Sequence, residues 1–179
     1  MNITQALFAG VVGGAVMSMI LGLARTMGMQ VDVELMLGTL LGEPPSVAIR
    51  MIGLIVHLVI SGLIALLYAA GFEYVMQRAG WRVGLAFSLV HLLIAGIFLG
   101  VIPALHPLVP EVMPAPGAFM ANLGILGIGA FVLLHLLYGA IVGTMYEPVH
   151  VPAEGGRVGR IAAAPGWDAE SSDEVDTRQ

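Results

Sequence analysis

His57-Leu-Val-Ile-Ser-Gly-Leu-Ile-Ala-Leu-Leu-Tyr68 and His135-Leu-Leu-Tyr-Gly-Ala-Ile-Val-Gly-Thr-Met-Tyr146 carry one pattern, His-x3-small-x3-small-x2-Tyr. In a helix rising about 1.5 Å per residue, histidine and tyrosine stand about 16 Å apart along the axis. A tyrosine at a membrane surface therefore sets its histidine near the middle of a hydrocarbon core about 30 Å thick. His91 repeats the arrangement in the opposite direction, ten residues after Trp81. Imidazoles at that depth are costly unless they have partners, so what they meet is the central question about function. Ser61 aligns with Gly139 and Ala65 with Gly143, in segments that cross the membrane in the same direction. The second and fourth spans thus read as matching members of two similar helical hairpins.

The rest of the chain agrees with a membrane location. Hydrophobic residues make up 58% of the sequence and charged residues 11%, and the mean hydropathy is +0.94. We expect an all-α integral membrane four-helix bundle over residues 1–150, with spans near 3–24, 47–72, 81–105 and 118–146. The first span has no basic n-region and reads as retained rather than as a signal peptide. With no cysteine, a metal or cofactor would fall to His, Met, carboxylate or backbone. The net charge of -5 arises largely in residues 151–179, read as an acidic cytoplasmic tail, and nucleic-acid binding finds no basic surface. Arg78, Arg82, Arg157 and Arg160 lie on one side of the membrane against Arg25 and Arg50 on the other, which puts both termini in the cytoplasm.

The two outer connections differ. Asp32 to Gly42 reads as a short interfacial helix capped by Asp32. Pro103, Pro107, Pro110, Pro114 and Pro116 break regular helix in the other loop, which would cap the bundle. Arg25 and Arg50 are expected to snorkel to headgroups. His106 with Glu111 and His150 with Glu147 read as interfacial polar pairs. Small residues at four-residue spacing mark helix packing: Gly10, Gly14, Ser18 and Gly22; Ser61 and Ala65; Gly96 and Gly100; Gly139 and Gly143. Such stripes let helix backbones approach closely in lipid, where apolar attraction between helices is absent.

Met29-Gln-Val-Asp-Val-Glu-Leu-Met-Leu-Gly38, the span around His57, and Leu134-His-Leu-Leu-Tyr-Gly-Ala-Ile-Val-Gly-Thr-Met-Tyr146 resemble a group of small four-helix bacterial inner-membrane proteins, a domain of unknown function. The resemblance covers roughly residues 3 to 148. It implies a bacterial cytoplasmic membrane and a four-helix bundle, and assigns no reaction.

No nucleophile with a base, phosphate loop or paired-carboxylate site stands in the sequence, so we expect no enzyme. Three readings of the histidines remain. In the first, His57, His91 and His135 hydrogen-bond to Ser61, Ser88, Tyr138 or backbone carbonyls; the protein is then a non-catalytic accessory or structural subunit of a larger membrane complex, respiratory or otherwise electron-carrying. Its partners are lipids and other membrane subunits. In the second, two of them hold haem b or another tetrapyrrole, with Phe87 and Phe131 lining the pocket. In the third, all three serve a metal or transport site, with Met17 or Met19 adding a soft ligand.

Overall fold

The computed structural model describes residues 1–30 and 32–146. The acidic tail and the His150–Glu147 pair lie outside the described residues. Within them the chain is a multi-pass, all-helical bundle with four helices long and apolar enough to cross a membrane.

Three of the helices start where a side chain satisfies a free amide. The Asn2 side chain accepts from the Gln5 amide to open α1 (Ile3–Thr26), and Asp32 accepts from Leu35 to open the short α2 (Val33–Gly38). Ser46 does the same for α3 (Val47–Ala70), accepting from Ile49. All three are N-caps of the usual kind. A wider π turn, Gly71–Met76, continues α3 and ends at Gln77 in the left-handed conformation. Then α4 (Trp81–Leu105) crosses back, with Pro103 tolerated in its last turns. A tight turn at Ala118–Leu123 leads into α5 (Gly124–Met145). In that turn Phe119 and Met120 both take left-handed backbones, φ 54° and 60°, a conformation that costs a residue with a Cβ about 1–2 kcal/mol.

The helices pair as two hairpins, α1 with α3 and α4 with α5, joined through α1 and α5. The glycine stripes build these seams. Gly10 and Gly14 admit Ser61 and Ala65 of α3, while Gly139 and Gly143 lie against Gly84 and Gly80 at the start of α4. The positions matched by the sequence repeat therefore do the same work, each facing the partner helix of its own hairpin. Gly96 makes room for the Phe119 ring and Gly100 for Ala118, so this stripe receives the turn before α5. Among the described residues Gly22 meets only the Arg25 side chain and no other helix. Gly53, close under the backbone of α2 at Glu34, is a contact the stripes do not predict.

At the face carrying the N-terminus, the Tyr146 hydroxyl donates to Glu73 and accepts from the Asn2 amide, 2.9 Å each. Burial raises the Tyr146 phenol above its ordinary pKa; the Asn2 amide opposes the rise and Glu73 adds to it. At the far face α2 lies over the end of α3. Arg25 pairs with Glu34, and Asp32 bridges Arg50 at 2.7 Å and Arg25 at 3.4 Å. Arg25 and Arg50 thus hold α2 in place instead of snorkelling, because chain reversal after α1 returns two carboxylates to them. Glu34 is 2% exposed and one of its oxygens has no partner.

Candidate functional site: a histidine-lined cavity within the bundle

Near the N-terminal face α3 and α4 are bound together by an aromatic cluster. Tyr68 meets Phe72, Phe87 and Tyr138 with ring centroids 5.7 to 6.1 Å apart, and the Phe87 ring rests on Gly71. Beyond this cluster the two helices scarcely touch. A cavity of about 620 Å³ occupies the space between them, backed by α1 and α5 and closed at the far end by Met36, Pro116 and Met120. Beyond the aromatic rings Ile60, Ile64 and Leu67 on α3 and Val90, Ile94 and Phe98 on α4 line the cavity between the two helices.

All three mid-span histidines line this cavity. Each has its Nδ1 edge turned to the protein. His57 Nδ1 is 2.8 Å from the Ser18 hydroxyl on α1, His91 Nδ1 is 3.3 Å from the Tyr68 hydroxyl, and His135 Nδ1 donates to the Phe131 carbonyl at 2.8 Å. Among the described residues no side chain or backbone group bonds their Nε2 atoms, and none of these atoms is sealed inside packed protein. Each unbonded Nε2 thus belongs to a residue that lines the cavity.

The sequence brings the right histidines together but names most of their partners wrongly. Ser61 donates back to the His57 carbonyl of its own helix, and Ser88 to the Leu85 carbonyl. The Tyr138 hydroxyl spans to α3 and donates to the Ser61 carbonyl. Ser61 and Ser88 each close on a carbonyl one turn back in their own helix, as helical serines often do. The partners that hold the rings are Ser18, read only as a packing residue, Tyr68, read as an interface anchor, and the Phe131 backbone. Phe87 and Phe131 do line the cavity, as does Met17, whereas Met19 is exposed on the bundle surface.

His106 is the functional-looking residue that sequence reasoning misplaced. It is buried, and its Nε2 donates to the Met36 carbonyl at 2.9 Å while its Nδ1 accepts from the Leu108 amide. It therefore ties the proline-rich loop to α2 and forms part of the cavity's far wall, while Glu111 stays exposed. Its place directly after α4, followed by Pro107, was the available signal.

Two geometric limits bear on what the cavity holds. The described residues contain no cluster of three His, Cys, Asp or Glu suited to a metal ion. His91 and His135 stand edge to face with centroids 4.9 Å apart. Two axial imidazoles on one iron would need centroids about 6 Å apart, given metal–nitrogen bonds of about 2 Å, so these two do not sandwich a macrocycle. No protein-family model, curated protein or solved structure matches the chain.

Proposed function

We propose that this protein is a non-catalytic membrane subunit that holds a lipophilic small molecule inside its own bundle, in a bacterial cytoplasmic membrane with both termini cytoplasmic. One observation carries the reading: three histidines whose Nε2 atoms have no partner among the described residues line a single cavity of about 620 Å³. In hydrocarbon a polar atom left unpaired is costly, and a bundle selected for packing alone would fill the space with apolar side chains. The glycine faces that a scaffold would offer to a larger assembly are largely used within the chain, at Gly10, Gly14, Gly84, Gly139 and Gly143. Membership of an electron-carrying complex remains part of the proposal on the strength of the buried imidazoles.

A second reading, a tetrapyrrole with one axial ligand, is favoured by His135. Its Nδ1 proton is committed to the Phe131 carbonyl, which leaves Nε2 bare and oriented as metal-bound imidazoles are.

Purification of the full chain in mild detergent, followed by native mass spectrometry and absorption spectroscopy, separates these. A colourless protein with one organic adduct per chain, absent from the His57→Phe/His91→Phe/His135→Phe variant, supports the first reading. A Soret band lost in His135→Ala supports the second. Empty, colourless protein whose stability is unchanged in the triple variant overturns both.

A further inference from the structure

The three imidazoles do not offer the cavity the same chemistry. His135 gives its Nδ1 proton to Phe131, so its Nε2 accepts. Ser18 has no acceptor other than His57 Nδ1 among the described residues, and Tyr68 none other than His91 Nδ1. A hydroxyl in an apolar interior donates to the one acceptor it has. That assignment places the ring protons of His57 and His91 on Nε2, where they face the cavity as donors. The cavity wall therefore presents two N–H donors and one bare nitrogen, on a surface otherwise almost wholly apolar.

Three further features narrow the ligand. Among the described residues no charged side chain lines the cavity, so a phosphate or carboxylate headgroup would meet no counter-charge there. The polar end is walled by rings, Tyr68, Phe87, Phe131 and Tyr138, which suits a flat ring stacked or edged among them. The opening is lateral: Ile60, Leu67, Val90, Ile94 and Phe98 both line the cavity and are exposed on the surface of the bundle. A molecule enters there from the bilayer and can leave an apolar tail behind it.

We infer that the cavity binds a prenylated quinone or its quinol, with the oxygenated ring among the histidines and the tail passing out between α3 and α4. The inference rests on the ligand-holding function proposed above and names its ligand. His57 and His91 donate to a quinone carbonyl, and His135 accepts from a quinol hydroxyl. The site recognises both redox forms, and only the quinol can donate to His135.

The test uses the full chain in lipid nanodiscs, a decyl-substituted benzoquinone and its chemically reduced quinol, with empty nanodiscs correcting for partition into lipid. We expect saturable binding of one molecule per chain. One hydrogen bond of about 1 kcal/mol corresponds to about a fivefold change in affinity. His135→Phe should weaken the quinol by about that factor and leave the quinone nearly unchanged, whereas His57→Phe or His91→Phe should weaken the quinone by about that factor and the quinol less, a phenolic oxygen being the weaker acceptor. Two milder variants guard against misfolding. Ser18→Ala frees the His57 tautomer and should lower the preference of that site for the quinone. Val90→Trp, at an exposed rim position, should slow uptake severalfold without changing the fold. If decylbenzene, which lacks the oxygens, binds as tightly and the histidine variants change nothing, the quinone inference fails while the cavity remains a ligand site. If neither probe binds and the purified protein is empty, the proposed function fails with it.

Discussion

The seam between α4 and α5 and the gap between α3 and α4 are built from adjacent faces of one helix. On the first face Gly84 meets Gly139 and Gly143 backbone to backbone, and Ser88 is fully buried beside them. On the second, Val90, Ile94 and Phe98 line the cavity and remain exposed. Both faces are apolar, so hydropathy does not distinguish them; side-chain size does. Where glycine lets backbones touch, van der Waals contact holds the helices, and along the cavity, lined mainly by larger side chains, α3 and α4 stay apart.

Breaking the seam should have the largest effect. A Cβ at Gly84 would fall against the Gly139 carbonyl, and Gly84→Leu is expected to cost about 3 kcal/mol, measured by detergent-titrated unfolding with circular dichroism. Gly129→Leu, at a position with open space around it, is the control and should be neutral. If both variants were equally stable, glycine contact would not be what holds α4 to α5. Next comes the cover at the far end of the gap. Arg25→Ala strands the buried Glu34 carboxylate and should lower stability by about 2 kcal/mol, the partial exposure of Arg25 tempering the loss. Glu34→Gln in the same chain should restore much of it.

The seam was legible because small residues at four-residue spacing have one physical use in lipid, and Gly10, Gly14, Gly139 and Gly143 are at the contacts their spacing suggests. The gap was not, since nothing in a run such as Val90-His-Leu-Leu-Ile94 says how far the helix opposite stands away. That the three histidines meet at one cavity agrees with counting residues along each span, whereas their hydrogen-bond partners depend on helix rotation. Ser18 and Tyr68 each lie on a different helix from the ring they hold, and periodicity within one helix is silent about that. Asp32 and Glu34 escaped for a similar reason: pairing with Arg25 needs the chain to reverse between them.

Smaller effects sharpen the same contrast. Tyr138→Phe removes the hydroxyl that ties α5 to the Ser61 carbonyl and should cost about 1 kcal/mol. Ile94→Ala, on the rim of the gap, should change stability by less than about 0.5 kcal/mol. A much larger loss there would mean that the α3 and α4 faces support each other after all.

The sideways opening also sets the scale on which occupancy is reckoned. A quinone reaching it has already left water, so its apolar tail adds little to the equilibrium between membrane and cavity, and the few polar bonds to the histidines carry the selectivity. Filling then follows the mole fraction of ligand among the surrounding lipids and not its concentration in buffer. Adding plain phospholipid to the same quantity of protein and quinone would empty the cavity by dilution in two dimensions, with the aqueous volume held constant.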